Sequence, residues 1–312
     1  MMKSLATAVA FLPAGAFAAA GTDAEKISAE LHRHIAELAA DEYEGRAPGT
    51  PGEYKTVAYL AEQFKALGLK PGNNGSWFQE VPITSVATAH DAQLSLKGRD
   101  YKATLSYGDQ MMVFTSRQVE EVALEESPLV FAGYGINAPE RGWNDYAGVD
   151  VRGKTVVVLI NDPGFATGDP ELFNGNSMTY YGRWTYKYEE AARQGAAGVL
   201  IVHETAPAAY GWDVVRNSWS TGRIGLTASN RNADQVAVEG WIPLQQAQAL
   251  FAAAGMDYAE MKAEAAKPGF RARPLADITA SVRLQNTVTS QLSRNVAALL
   301  PGSETPDEVI IY

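Results

Sequence analysis

A strand, a helix and a second strand follow one another in the middle of the chain, and this succession constrains the fold more than any other feature. Residues 154–160 form a continuous apolar run, which is typical of a strand buried on both faces. Residues 186–194 predict a helix that ends at Gly195, and residues 198–202 form a second apolar run. Because strands joined in this way lie parallel through a right-handed crossover, the sequence predicts an α/β fold.

Local patterns on either side of this succession predict further elements. Residues 28–40 and 53–67 carry apolar side chains at helical spacing and predict two helices. Short alternating stretches within residues 77–115 indicate a β-rich module, and we expect a new domain to begin near residue 85. Residues 277–289 alternate between apolar and polar side chains, which predicts a long half-buried strand.

The last residues are expected to lie inside a sheet. Residues 295–300 and 308–312 predict two short apolar strands, and the second suits a strand that is covered on both faces. The sequence supplies no neighbours for that strand, which favours an interrupted domain. An edge strand that closes a small sheet is the alternative.

Composition narrows the classes of function. The 312 residues have room for about two domains, and a net charge of −10 without a Lys or Arg run argues against nucleic acid as a partner. The absence of Cys excludes disulfides, thiolate nucleophiles and Cys-based zinc sites. A metal in this chain is therefore restricted to carboxylates and four histidines, which are His32, His34, His90 and His203.

The N-terminus has the pattern of a signal peptide, predicted for residues 1–20. Lys3 is followed by an apolar stretch and then by small residues that suit cleavage. The stretch is too short for a good membrane span, and no Cys follows it to carry a lipid. We therefore expect an exported protein, periplasmic or secreted, without a stable membrane anchor.

Two weaker patterns favour structural roles. Gly133-Tyr134-Gly135 lacks the third glycine of a dinucleotide-binding loop, and Pro139 stands where the helix should begin. A tight loop that uses glycine for positive backbone angles is the preferred interpretation. His203 lies at a predicted strand end beside Glu204, where a structural hydrogen bond is favoured over a ligand role.

Three stretches of the chain carry motifs that belong together. They are Glu44-Gly45-Arg46, Pro48-Gly49-Thr50, Gly52 and Gly68-Leu69-Lys70-Pro71 in the first stretch, then Gly133-Tyr134-Gly135, Asp145-Tyr146, Val151-Arg152-Gly153-Lys154, residues 180–184, residues 191–198 and His203-Glu204-Thr205, and finally Ser293-Arg294-Asn295-Val296 with Pro301-Gly302. The first and third stretches resemble the core of zinc aminopeptidases of peptidase family M-28, in the aminopeptidase and glutamate carboxypeptidase superfamily. The second resembles the protease-associated domain inserted in many of them, and within it residues 180–184 and His203-Glu204-Thr205 resemble the bacterial branch of the family.

The resemblance implies a domain arrangement and an activity. A partial three-layer αβα zinc-peptidase core would comprise residues 23–84 and 286–312, interrupted by a β-rich protease-associated domain at residues 85–285. The parent enzyme would use two zinc ions to release N-terminal residues from peptides. In the family the metal ligands come after the strand that corresponds to residues 308–312, so this chain is expected to bind no zinc and to be inactive alone.

Four residues are candidates for supporting roles. Arg46 is expected to tie its loop to the core through charge-assisted bonds, although Gly45 and Gly49 around it also suit a loop without further role. Tyr181, Arg183 and Trp184 form an aromatic and cationic group that could contact peptide in the substrate cleft. An ordinary exposed loop explains the same three residues.

A function from another class remains open. A non-catalytic binding or scaffold protein with a degenerate peptidase fold would carry the same motifs. The sequence that follows residue 312 would separate the two, because a His-x-Asp motif there indicates the enzyme.

Overall fold

The computed structural model of the chain describes residues 16–306 and 308–311. Helices contain 30% of the residues and strands contain 32%, so the fold is mixed α/β. The predicted signal peptide lies outside the described residues except for residues 16–20, which belong to the first helix. None of the described helices combines the length and the apolarity that crossing a bilayer requires.

The helices and strands alternate through most of the described chain. The α-helices are α1 (Ala16–Leu38), α2 (Pro51–Ala66), α3 (Pro163–Thr167), α4 (Trp184–Arg193), α5 (Thr205–Ala208), α6 (Trp212–Trp219), α7 (Leu244–Ala253) and α8 (Tyr258–Ala265). The strands are β1 (Lys70–Pro71), β2 (Phe78–Thr88), β3 (Gln93–Lys97), β4 (Lys102–Ser106), β5 (Met112–Phe114), β6 (Glu121–Phe131), β7 (Asn137–Ala138), β8 (Trp143–Asn144), β9 (Thr155–Leu159), β10 (Gly198–His203), β11 (Arg223–Leu226), β12 (Val238–Pro243), β13 (Arg273–Val296) and β14 (Ala298–Leu299).

The chain forms two compact units. The central unit comprises Pro82–Gln291, and the terminal unit comprises Met1–Val81 with Leu292–Tyr312. The chain passes from one unit to the other within β2 and again within β13.

A mixed sheet of ten strands organises the central unit. Its path runs β11-β2-β13-β6-β9-β10-β12-β5, with β3 paired to β13 and to β4. The four strands β6, β9, β10 and β12 are mutually parallel, whereas β5 and β13 pair antiparallel on their two sides. The predicted parallel pair is confirmed, because β9 and β10, joined through α4, pair with Val156 opposite Val199.

Side chains of the parallel strands alternate between two hydrophobic clusters. Val157 and Leu159 of β9 belong to the first cluster, and Val156 and Val158 belong to the second. Helices α7 and α8 contribute to the first cluster, while α6 and the later turns of α4 contribute to the second. Each of these buried aliphatic side chains stabilises the fold by about 1.5–3 kcal/mol, which explains why β9 is apolar from Val156 to Leu159.

The terminal unit has a much smaller core. Its buried apolar side chains are Tyr43, Val57 and Ala61, and β1 pairs antiparallel with β14. Gly52 is required near the start of α2, because a Cβ there would lie 1.8 Å from the carbonyl oxygen of Tyr43. The apolar stripe predicted on α1 remains exposed in the described chain, with Ile35 62% accessible.

The strand predicted at residues 308–312 is wrong for the described part, residues 308–311. These residues have no regular secondary structure, and Ile311 is 89% exposed. An apolar run becomes a strand only where another strand offers backbone partners, and no described strand pairs with this one. The strand predicted at 277–289 is part of the longer β13, whose pairing with β6 is irregular between Pro274 and Thr279.

Candidate functional site

An open groove of about 400 Å³ in the central unit is the candidate site. Three elements form it: the start of α4, helix α6 and strand β11. Its lining residues are Trp184, Tyr210, Val214, Val215, Ser218, Trp219, Gly222, Arg223 and Ile224. Aromatic and aliphatic side chains with one cation give the groove an apolar wall and a single strong hydrogen-bonding group.

Helix α6 holds one wall of the groove in place. Val215 and Trp219 are buried in the second hydrophobic cluster, while the adjacent Val214 is half exposed. The helix is tied at both ends, since Trp212 Nε1 donates to the carbonyl of Gly108 at 2.9 Å and Tyr107 donates to that of Trp219 at 3.1 Å. The wall is therefore fixed by the fold before any ligand arrives.

Arg223 is the only charged group that lines the groove. Its guanidinium carbon lies 4.0 Å from the ring centre of Trp219, 4.7 Å from that of Phe114 and 5.2 Å from that of Trp184. Such contacts stabilise a cation by about 0.5–2 kcal/mol, depending on its exposure to water. Burial lowers the pKa of Arg223, and the nearby carboxyl of Glu239 opposes that effect.

Glu239 is a buried acid on strand β12. Glu239 is 2% exposed. Burial raises the pKa of its carboxyl to about 7, although the hydrogen bond from Ser116 and the charge of Arg223 both lower it. No ion pair within 4.0 Å joins it to Arg223 among the described residues, so the two charges interact only at longer range.

The structure separates the three predicted cleft residues. Trp184 lines the groove and packs edge-on against Trp219, with ring centres 4.8 Å apart. Tyr181 instead packs against Phe173 and donates from its hydroxyl to Glu140 at 2.7 Å. Arg183 is exposed and stands immediately before α4. Only Trp184 of the predicted trio therefore contributes to the groove.

A buried lysine forms a second polar centre that sequence reasoning missed. Lys187 of α4 is fully buried, and its Nζ donates to the carbonyls of Tyr134 at 2.6 Å, Asn161 at 2.8 Å and Tyr181 at 2.7 Å. Burial lowers the pKa of Lys187 to about 7, while the charges of Asp145 and Asp162 oppose that effect. Three satisfied donors make this a structural connection between loops.

Asp145 and Asp162 surround the lysine with further buried charge. Asp145 accepts from the backbone N–H of Ile136 at 3.0 Å and from Trp143 Nε1 at 2.8 Å, and burial raises its pKa to about 7. Asp162 accepts two bonds from Thr179 through Oδ2. Several of these contacts join segments that are 17 to 53 residues apart, so no periodic pattern in the sequence indicates them.

The histidines make structural contacts. Nε2 of His203 faces the carbonyl oxygen of Tyr210 at 3.0 Å, and because a carbonyl only accepts, this nitrogen carries the proton. Burial lowers the pKa of His203. His34 contacts the hydroxyl of Tyr59 at 2.6 Å, and His90 stacks on Tyr107. In the described residues, no three His, Asp or Glu side chains are grouped to hold a metal ion.

Arg46 and Glu53 lie in the terminal unit. Arg46 Nη1 donates to the carbonyl of Leu38 at the end of α1. Gly45 and Gly49 on either side of it adopt positive φ of 78° and 77°. Glu53 accepts from the backbone N–H of Gly49 and from Ser293 and Arg294. A capping pattern, Thr50 followed three residues later by Glu53, is the sequence signal that could have found this residue.

No protein-family profile matches the chain, and a search of the curated proteins finds no match.

Proposed function

We propose that the chain is the N-terminal portion of an exported, zinc-dependent aminopeptidase that releases N-terminal residues from peptides. Residues 23–84 and 286–312 would contribute to a three-layer αβα peptidase core, and residues 85–285 would form an inserted protease-associated domain. The protein would act in the periplasm or outside the cell. The motifs that resemble family M-28 support this proposal, together with the mixed α/β fold.

The contact made by Glu53 is the observation that carries the proposal. Two of the stretches that resemble the peptidase core are about 240 residues apart in sequence, yet Glu53 accepts from Gly49 in one and from Ser293 and Arg294 in the other. Arg294 also stacks over Tyr54 at 5.7 Å. A contact of this kind is expected when one domain is interrupted by an inserted domain.

The chemistry available to this chain is binding. Zinc, when bound by the parent enzyme, would activate the attacking water, but the described residues offer it no site, and we derive no step through it. The groove of the central unit suits a domain that helps to bind the substrate. Trp184 and Trp219 can pack against a peptide, and Arg223 can bind an anionic group.

Hydrolysis of unblocked peptides by the intact gene product tests the proposal. We expect release of the N-terminal residue from Leu-Phe but not from N-acetyl-Leu-Phe, loss of activity with a chelator, and recovery with Zn²⁺. The 312-residue chain alone should show no turnover. Metal-independent turnover, or turnover by the 312-residue chain, would contradict the assignment. An intact gene product that is inactive with Zn²⁺ would favour the non-catalytic binding protein instead.

A further inference from the structure

Arg223 carries hydrogen-bonding capacity that the described chain does not use. Its guanidinium has five N–H donors, yet neither an ion pair nor a side-chain hydrogen bond joins it to another described residue. The group is half-buried, and none of its nitrogens is among the fully buried polar atoms that lack a partner in the described chain, so its free N–H groups reach solvent. The polar edge of the Arg223 guanidinium is therefore available to a ligand.

The stacking of Arg223 determines which part of it is available. Trp219, Phe114 and Trp184 occupy the space around the guanidinium at 4.0, 4.7 and 5.2 Å from their ring centres. The ring planes of Trp184 and Trp219 lie 85° apart, so the guanidinium can lie flat against at most one of the two, and its N–H groups that point away from the rings are left for a partner. A carboxylate is the planar anion that accepts two parallel bonds from such an edge.

The remaining walls of the groove are suited to an apolar neighbour of that carboxylate. Val214, Val215 and Ile224 line the groove beside the two tryptophans. A volume of about 400 Å³ accommodates one or two amino-acid residues rather than a long peptide.

We propose that the groove binds the C-terminal carboxylate of short peptides through Arg223, with the apolar side chain of the last residue against Trp184 and Trp219. This inference rests on the proposed peptidase function for its choice of peptide as ligand. The substrates of the parent enzyme would then be short peptides with a free carboxyl end.

Calorimetric titration of the 312-residue chain with N-acetyl-Leu-Phe tests the site without hydrolysis, because the acetyl group blocks an aminopeptidase. The acid form should bind, and its C-terminal amide should bind about tenfold or more weakly, since a charge-assisted pair is lost. Tryptophan fluorescence should change with the acid, because two tryptophans line the groove.

Variants of two arginines locate the effect. Arg223→Gln should weaken binding of the acid to the level of the amide, and Arg223→Lys should recover only part of it, because lysine lacks the planar fork. Arg216→Gln is the matched control, since Arg216 lies on α6 and already pairs with Asp109 at 3.0 Å. If circular dichroism shows that Arg223→Gln is unfolded, the binding of the acid by folded Arg223→Lys tests the role of Arg223 instead.

Several results would overturn the inference. They are no binding of the acid, equal binding of acid and amide, undiminished binding by the folded Arg223 variant, or an equal loss in Arg216→Gln. Binding of N-acetyl-Leu-Glu amide as tightly as the acid would show that an acidic side chain suffices and would reject the terminal carboxylate. If the 312-residue chain binds the acid but the intact gene product hydrolyses no peptide, the binding site is supported and only the proposed enzyme activity is refuted.

Discussion

At the scale of single residues, the central unit depends on a buried lysine whose three donors are all hydrogen-bonded. Each of the three donors of Lys187 meets a backbone carbonyl, in loops that follow β6 and β9 and in the turn before α4. Those carbonyls belong to irregular segments, where sheet pairing does not satisfy them. The lysine therefore replaces missing backbone bonds, which is why its burial is tolerated.

Replacing Lys187 with Met should destabilise the central unit by about 3–5 kcal/mol, because three buried carbonyls lose their donor and the buried Asp145 loses a compensating charge. Urea unfolding monitored by tryptophan fluorescence measures the change. The control is Lys102→Met, at an exposed position, which should lie within about 0.5 kcal/mol of wild type. A loss below 1 kcal/mol for the Lys187 variant would refute the role assigned to it.

At the scale of elements, the start of α2 shows how one helix terminus joins distant segments. Pro51 occupies the first turn, and Thr50 caps the helix by accepting from the N–H of Glu53. The carboxylate of Glu53 accepts hydrogen bonds from Gly49, Ser293 and Arg294. Burial raises the pKa of this carboxyl, but the hydrogen bonds lower it by more, so the net shift is downward.

The Glu53→Gln variant should open the contact between α2 and residues 293–294. Both carboxylate oxygens accept from donors, so the amide group of Gln faces a donor in either orientation, at a cost of about 1–3 kcal/mol. Hydrogen exchange followed by mass spectrometry should show faster exchange in peptides that cover residues 49–53 and 293–294. Glu62→Gln on the exposed face of α2 should leave exchange unchanged. Equal protection in both variants would show that Glu53 contributes little.

At the scale of the whole molecule, the two units differ in how much apolar surface they bury. The central unit encloses two clusters around a sheet of ten strands, whereas the terminal unit buries only a few apolar side chains among its described residues. Because local opening is easiest where few buried contacts oppose it, the two units should differ in stability.

Limited proteolysis should therefore cut the terminal unit first and leave a resistant core that corresponds to Pro82–Gln291. Mass spectrometry of the fragments over time identifies the order of cleavage. The same digestion in 8 M urea, a concentration on the order of that which unfolds small domains, is the control in which both units should be cut at similar rates. Equal resistance in native buffer, or earlier cleavage within the central unit, would refute this difference.

The sequence alone determined the parts of the fold that depend on neighbouring residues. The apolar runs of β9 and β10 and the glycine after α4 were sufficient to predict a parallel pair, because a strand buried on both faces favours apolar side chains at successive positions. Helix α8 was missed, although Asp257 caps it by accepting from the N–H of Glu260 at 2.8 Å. A short helix with little amphipathic pattern leaves a weak local signal.

Only the tertiary structure decided which distant residues meet. Arg223 stacks on rings from β5, α4 and α6, and Lys187 joins three separate loops. The neighbouring candidates Tyr181 and Trp184 belong to different hydrophobic clusters. Such contacts depend on the path of the strands through the sheet, which leaves no period in the sequence. The same holds for residues 308–311, where an apolar run formed no strand because a strand also needs a partner.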